Sequence, residues 1–135
     1  MTLASRDLQV GYEIPSFVKK AKLTPPPGGF PWGSPHNDAF ARSIGFKGGL
    51  VPGVQTTSYL SQMLTGFFGQ NWFKHGKLDI KCIGGGVIDK EMVTGKGIIR
   101  EKVAEASGVR LVLDVWMENE EGKKVLVGTA SCLVT

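Results

Sequence analysis

The feature that most constrains this chain is a long stretch without charge. Between Leu50 and Phe73 the sequence contains no Lys, Arg, Asp or Glu. From Gly53 to about Phe68, apolar residues recur at the i, i+3, i+4, i+7, i+8 spacing of an α-helix. These positions are Leu60, Met63, Leu64, Phe67 and Phe68. A helix without a charged face has no side that requires water, so we expect it to be buried on most sides.

The chain after residue 76 is predicted to consist of strands. Residues 77–83 alternate in polarity, and residues 91–104 and 109–118 are rich in β-branched and other apolar residues. Residues 119–123 are typical of a hairpin turn, which leads into a last strand over residues 124–134. The three glycines between the first two of these strands predict a bend or bulge.

The chain before the long helix is predicted to hold one strand and one rigid loop. Residues 15–23 follow an opening loop and favour a strand. Residues 25–33 contain four prolines and three glycines, which exclude regular structure. Because so many prolines stiffen the loop, its aromatic residues Phe30 and Trp32 are expected to line a ligand pocket.

A short helix is predicted over residues 36–45, between this loop and the long helix. Ser34 or Asn37 is the candidate N-cap, because both side chains can accept a hydrogen bond from the first turn. Gly45 is the expected left-handed residue at which the helix stops.

The order of these elements predicts an α+β fold. One strand, a loop with a short helix, a buried helix and about four antiparallel strands fit a sheet that curls around a single helix. A length of 135 residues is common for one domain, so residues 1–135 are expected to form a single domain. No internal repeat is visible.

The charge of the chain favours small anionic ligands over nucleic acid. The net charge of +4 comes from 16 Lys and Arg against 12 Asp and Glu, and the basic residues are scattered singly or in pairs. A nucleic-acid interface usually needs a basic cluster with stacking aromatics on one face, so no nucleic-acid partner is expected. A mildly positive field suits an anionic substrate such as a coenzyme A thioester.

The cysteines and the termini predict the compartment. Cys82 and Cys132 both lie in predicted strands without a CxxC pattern, which favours two buried free thiols over a disulfide. Residues 1–11 lack the pattern of a signal peptide, and no apolar run approaches the ~18 residues of a membrane span. A cytoplasmic protein without membrane contact is therefore expected.

Three segments resemble the MaoC-like branch of the hotdog superfamily. Residues 41–54, ARSIGFKGGLVPGV, resemble the alanine, GF pair, small-residue turn and helix-opening glycine that follow an NPxHxD stretch in that family. Residues 10–15 and 72–83 resemble its first strand and its first strand after the helix. The resemblance covers nearly the whole chain, and it implies a hotdog fold, an antiparallel sheet around one long central helix. It also implies a homodimer, in which two sheets pair side by side.

The resemblance also implies an activity. Active relatives are typically (R)-specific enoyl-CoA hydratases or dehydratases, in which an Asp and a His five positions apart act on water and the thioester. The position five residues before His36 is Pro31, which cannot act as a base. If the register is anchored on Ala41 and the GF pair, the two slots hold Pro35 and Phe30. Neither register preserves the dyad, which counts against standard enoyl-CoA hydration.

The His36-Asn37-Asp38 cluster is the remaining candidate for catalysis. His36 is the predicted acid/base, because an imidazole suits proton transfer near neutral pH. Asp38 is the predicted catalytic partner that orients His36, although an acidic residue in a first helical turn is also favoured by the helix dipole alone. Asn37 is a candidate for substrate binding or for a helix cap. The alternative for His36 is a capping or packing role without a part in catalysis.

The start of the long helix is the candidate binding site. Amides from Val51 to Gly53 are expected to form an oxyanion hole, to which Pro52 cannot contribute an N–H. Thr56 and Tyr59 are expected to line the substrate pocket. The alternative for the whole segment is a tight turn before a closely packed helix. No metal site and no cofactor are expected, since two distant histidines and scattered carboxylates show no ligand spacing.

These features together predict a lyase of the hydratase or dehydratase type. Its substrate is expected to be an activated acyl compound, such as an acyl-CoA thioester, or an enone-like small molecule. The alternatives are an acyl-CoA thioesterase and a catalytically incomplete hotdog subunit that only binds ligand.

Overall fold

The computed structural model describes residues 3–135, in which three helices and five strands are present. The elements are β1 (Phe17–Lys20), α1 (Asp38–Ser43), α2 (Gly53–Phe68), α3 (Gln70–His75), β2 (Lys77–Cys82), β3 (Met92–Glu105), β4 (Gly108–Glu118) and β5 (Lys124–Val134). The predicted element order is confirmed, apart from α3, which the sequence pattern did not indicate. Over residues 3–135, no helix combines the length and apolar character needed to span a lipid bilayer.

The five strands form one antiparallel sheet in the order β1-β3-β4-β5-β2. The three long strands pair as consecutive hairpins at its centre, and the register shifts between Ile99 and Glu101, where β3 bends. Strand β2 returns from the helices to pair with β5, from Lys77 opposite Ser131 to Cys82 opposite Leu126. The short strand β1 and strand β2 form the two edges.

Helix α2 packs against the sheet through the predicted apolar positions. Its buried residues include Leu60 and Phe68, and the facing strands contribute buried residues such as Leu113 and Met117. The expectation that α2 is buried on most sides holds for this face only. A stripe of residues four apart is exposed, comprising Val54, Ser58, Gln62 and Gly66. Val54 is an apolar side chain that is 85% exposed, whereas Ser58, Gln62 and Gly66 are small or polar positions for which contact with water costs little.

The carboxyl end of α2 is closed by aromatic side chains. The rings of Phe67 and Phe68 meet edge to face at 4.9 Å, and Trp72 stacks on Phe68 at 5.9 Å. Tyr12 lies over Phe67 at 6.4 Å from the opening segment of the chain. Such pairs add to the stabilisation from buried area, so this end of the helix is tightly anchored.

Helix α3, which ends at His75, lies in a segment for which the sequence pattern predicted no helix. Gly69 adopts a positive φ of 65°, which ends α2 and allows a new helix to begin at Gln70. Six residues are too few for an apolar period to be visible in the sequence. The carbonyl of His75 accepts a hydrogen bond of 3.1 Å from Arg110 of β4, so the end of α3 is tied to the sheet.

The predicted elements before α2 form, with shorter bounds. Strand β1 covers four residues of the predicted 15–23, and Ala21 continues the contact by donating to the Glu91 carbonyl at 2.7 Å. In α1 the N-cap is Asn37, whose side chain accepts from the Phe40 amide at 2.9 Å. Gly45 follows the helix with the expected positive φ, 103°.

Both cysteines are free thiols, as predicted, but their burial differs. Cys132 is buried in the centre of the sheet, where burial raises the pKa of its thiol to about 11. Cys82 is exposed, which corrects the expectation of two buried thiols. The difference arises because Cys82 is the last residue of the edge strand β2, whereas Cys132 lies on β5, which is paired on both sides.

Candidate functional site

A cavity of about 240 Å³ lies at the amino end of α2, and we call it the helix cavity. Four of the predicted site residues line it, namely His36, Val51, Gly53 and Thr56. The remaining wall comes from Leu50, Cys82, Ile83, Gly84, Gly86, Val87, Val125 and Leu126. Most of these side chains are apolar, so the few polar groups determine what chemistry the cavity supports.

The ring of His36 is held by the main chain that leads into α2. Its Nδ1 atom lies 2.7 Å from the carbonyl oxygen of Leu50. Because a carbonyl oxygen only accepts hydrogen bonds, Nδ1 carries the proton. In the neutral ring Nε2 therefore keeps its lone pair, which is the form that a general base requires.

Asp38 does not orient His36 in this structure, which corrects the predicted dyad. Its Oδ2 accepts from Arg42 Nε at 2.8 Å, and its Oδ1 accepts from the Gly49 amide at 3.0 Å. The bond from Arg42, followed by that from Gly49, lowers the pKa of the Asp38 carboxyl. The carboxylate thus fixes the turn before α2, and the Leu50 carbonyl takes the orienting role.

The turn held by Asp38 is docked directly on the segment that carries His36. The Leu50 amide donates to the Pro35 carbonyl at 2.9 Å, one residue before the histidine. A Cβ atom at Gly49 would lie 2.7 Å from the His36 carbonyl oxygen, so only glycine allows this approach. These contacts hold residues 13 and 15 positions apart against each other.

The amino end of α2 presents unpaired amides, though not the predicted set. The Val51 amide already donates to the Val87 carbonyl at 2.7 Å, so Val51 contributes a wall and no oxyanion donor. Pro52 has no N–H and provides no side-chain cap. Over residues 3–135, the amides of Gly53 and Val54 donate to no acceptor. These two groups, together with the helix dipole, favour an anionic oxygen here.

Thr56 and Tyr59 are both buried residues of α2, one turn apart, but they have different neighbours. Thr56 is buried and lines the helix cavity, where its hydroxyl donates to the Gly53 carbonyl at 3.1 Å. Tyr59 is not a wall of the helix cavity, contrary to its predicted role. Its hydroxyl accepts from Gln55 at 2.6 Å, and the ammonium of Lys19 lies 5.2 Å from its ring.

A second cavity, of about 390 Å³, lies under the proline-rich loop, and we call it the loop cavity. His36, Asn37, Asp38 and Phe30 line it, and the Phe30 ring lies 5.4 Å from that of His36. The Asn37 amide also donates to the Phe30 carbonyl at 2.8 Å, in addition to capping α1. Trp32 is 68% exposed, packs on Phe40 and is not a wall of either cavity. His36 is therefore shared by both cavities.

Sequence reasoning missed Cys82 as a wall of the helix cavity. The alternation of β2 places Cys82 on the same face as Leu78 and Ile80, the face that packs on the core. That pattern could have indicated an inward thiol, but not that its neighbour would be Gly53. The predicted bend at residues 84–86 is confirmed, and it forms the rim beside Cys82.

The ionisable groups of the site are too dispersed to suggest a metal centre. In the part of the chain that the structure covers, no three His, Cys, Asp or Glu side chains are grouped as metal ligands would be. The site offers instead the His36 imidazole, the unpaired amides that begin α2 and the Cys82 thiol.

No protein-family model matches the chain, and no curated protein matches its sequence. Solved structures match its fold. The (R)-hydratase from A. caviae involved in PHA biosynthesis has a TM-score of 0.69 at 16% identity, over 97% of this chain and 100% of that one. A MaoC-like dehydratase from Rhodospirillum rubrum has a TM-score of 0.68 at 13% identity, with coverages of 95% and 93%. A thioesterase-superfamily member from Thermus thermophilus has a TM-score of 0.54 at 12% identity, with coverages of 96% and 85%.

These likenesses confirm the predicted α+β hotdog fold. The resemblance to MaoC-like hotdog proteins, first indicated by three sequence segments, extends to the architecture of nearly the whole chain. At such low identities the likeness establishes the fold alone, so the activity must be argued from the residues of this site.

Proposed function

We propose that this chain is a lyase of the hydratase or dehydratase type, acting on a short activated acyl group, with His36 as the acid/base. The observation that carries the proposal is the hydrogen bond of 2.7 Å between His36 Nδ1 and the Leu50 carbonyl. It fixes the tautomer with a basic Nε2 beside the open amino end of α2, and both line the helix cavity. A base and an oxyanion site in one cavity are the minimum that hydration of a conjugated carbonyl needs.

The proposed reaction uses these groups in sequence. Nε2 of His36 takes a proton from water as the oxygen adds to the β-carbon of the substrate. The electron pair of the double bond moves to the carbonyl oxygen, which the amides of Gly53 and Val54 stabilise. The imidazolium then returns the proton to the α-carbon, and the reverse sequence is dehydration. A single histidine thus replaces the Asp and His pair that the sequence lacks.

The size of the helix cavity favours a short acyl group. Its volume of about 240 Å³ lies below that of typical ligand pockets, which hold whole drug-sized molecules. The thioester head and a short chain therefore occupy the cavity, and the carrier remains outside. A coenzyme A carrier suits the net charge of +4. For an enone-like substrate without coenzyme A, the loop cavity is the alternative site, because Phe30 lies next to His36 there.

The test is hydration of crotonyl-CoA, followed by loss of the absorbance of the conjugated thioester. We expect His36→Ala to reduce the rate by about 10²–10⁴-fold, the usual contribution of a general acid/base. The matched control is His75→Ala, which removes the other histidine but keeps the backbone carbonyl that contacts Arg110. Circular dichroism and urea unfolding show whether both variants are folded. Wild-type turnover that survives in His36→Ala contradicts the role of His36.

The same purified chain separates the two alternatives. A thioesterase releases free thiol from saturated butyryl-CoA, which a hydratase leaves intact. A binding subunit turns over neither thioester but still binds one in calorimetry. The specific observation in favour of a binding subunit is that Pro31 occupies the acidic position and Asp38 is bonded to Arg42 and Gly49.

A homodimer in the cytoplasm is the proposed setting of this activity. Strands β1 and β2 leave two edges of the sheet open, and sheet edges are commonly covered by pairing. We expect size-exclusion chromatography with light scattering to give twice the chain mass. A mass of 14.5 kDa, that of one chain, contradicts the dimer.

A further inference from the structure

The helix cavity contains a nucleophile that the proposed hydration does not use. Cys82 ends β2, lines the cavity together with His36, and carries a free, exposed thiol. A Cβ atom built at Gly53 would lie 3.0 Å from Cys82 Sγ, so the sulfur touches the first residue of α2. The missing side chain at Gly53 is what leaves the thiol uncovered.

The thiol therefore shares its surroundings with the groups that would activate an unsaturated carbonyl compound. The unpaired amide of Gly53 belongs to the residue that Sγ faces, and the unpaired amide of Val54 follows it in the chain. His36 supplies a ring whose Nδ1 is occupied by the Leu50 carbonyl, so Nε2 is the nitrogen left to accept a proton. A thiol becomes nucleophilic when a base takes its proton, and a cavity that also binds the carbonyl oxygen places the electrophile beside it.

We infer that Cys82 is a covalent modification site for small α,β-unsaturated ketones and related enones that enter the helix cavity. The sulfur adds to the β-carbon, which forms an S–C bond and breaks the π bond of the alkene. The electron pair moves onto the carbonyl oxygen at the helix amides. The proton leaves the thiol through His36 and reaches the α-carbon, so the product is a neutral thioether and no further reactant is needed.

The inference rests on the proposed function in one respect, since it takes the same cavity and the same histidine. It goes beyond that function because the adduct blocks the cavity, so enones inactivate the chain instead of being turned over. Cys132 provides an internal control, because its thiol is buried within the sheet.

The test is alkylation of the full chain by methyl vinyl ketone, with the adduct located by peptide mass spectrometry. We expect modification of Cys82 and not of Cys132 in the folded protein, and of both after unfolding in urea. In the folded chain Cys82 should react about 10²-fold faster than in the unfolded chain, the lower end of general acid–base assistance. His36→Ala should remove that enhancement. Iodoacetamide is the matched control reagent, because its reaction delivers no proton to carbon. Its rate of reaction with Cys82 should fall much less in His36→Ala.

Three results overturn the inference. They are no alkylation of Cys82 in the folded chain, a rate no faster than in urea, and an enhancement that persists in His36→Ala. The alkylation assay needs no turnover, so it stands apart from the test of the lyase. Selective, His36-dependent alkylation without hydration of crotonyl-CoA keeps the modification site and rejects the lyase. Hydration of crotonyl-CoA without such alkylation keeps the lyase and rejects the modification site.

Discussion

The two ends of α2 differ in how closely other side chains pack against them. At the carboxyl end, Phe67 and Phe68 are buried among Trp72 and Tyr12, with ring centroids between 4.9 and 6.4 Å apart. At the amino end, Gly53 has no side chain and the cavity beside it remains open. The helix is the same element throughout, yet its last turn is packed and its first turn is available to a ligand.

The difference teaches where stability and chemistry reside in this chain. Unpaired helix amides must be satisfied by a cap, by water or by a ligand. Pro52 provides no cap, and the first turn holds no acidic residue. The aromatic cluster at the other end fixes the helix, which allows its amino end to remain unfilled.

The largest effect is expected from Phe68→Ala at the packed end. Phe68 is fully buried between Phe67 and Trp72, so its loss should lower the free energy of unfolding by about 3–5 kcal/mol. Urea denaturation measures the change. The matched control is Phe73→Ala, which removes a ring that is 75% exposed and should shift stability by less than about 0.5 kcal/mol. Equal losses of unfolding free energy for the two variants would contradict the conclusion that the carboxyl end of α2 is tightly packed.

A smaller effect on stability is expected from Gly53→Ala at the open end. Alanine favours a helix over glycine by up to about 1 kcal/mol, and the clash at 3.0 Å is with the mobile end of Cys82. We therefore expect a change in unfolding free energy within about 1 kcal/mol, in either direction. Alkylation of Cys82 by methyl vinyl ketone should slow markedly, because the new methyl group covers the sulfur.

The double variant Gly53→Ala with Cys82→Ala isolates the contact between these residues. Its free energy of unfolding should be higher than the two single-variant changes predict when added, because the clash is absent when the thiol is removed. Additive changes would show that Gly53 and Cys82 do not interact. A loss for Gly53→Ala as large as that for Phe68→Ala would remove the distinction between the two ends.

The smallest effect concerns pH and the Asp38 carboxylate, which supports the turn before the open end. Bonds from Arg42 and then from the Gly49 amide lower its folded-state pKa below the ordinary 3.8. Its contribution to stability is therefore present above the unfolded-state pKa and is lost as pH falls through the lower folded-state value. The midpoint of urea unfolding should fall less between pH 7 and strongly acidic pH in Asp38→Asn than in the wild type. The same fall in both contradicts the assignment.

The sequence predicted most of the fold because its main signals are local. The apolar spacing around Leu60 and Leu64 defined α2 without reference to the rest of the chain. The turn over residues 119–123 defined the hairpin between β4 and β5. Helix α3 was missed because it is a single short segment that restarts after a positive φ at Gly69.

The candidate site was predicted in part. His36, Gly53 and Thr56 were identified from their positions before and within α2, and the structure brings all three to one cavity. Trp32 and Tyr59 were placed in a pocket because an aromatic side chain suits either a ligand or a packing partner. Which of the two it contacts depends on residues far away in sequence, and here those are Phe40 and Gln55.

Periodicity and turn chemistry act over a few neighbouring residues, so the sequence was enough to predict an uncharged helix whose apolar face packs on antiparallel strands. Only the tertiary structure decided the chemistry of the cavity. In the folded chain the Val51 amide donates to the Val87 carbonyl, the Leu50 carbonyl orients His36, and Cys82 lies beside Gly53. The physical reason is that backbone carbonyls and amides are present at every residue, and packing alone determines which of them meet a side chain from another part of the chain.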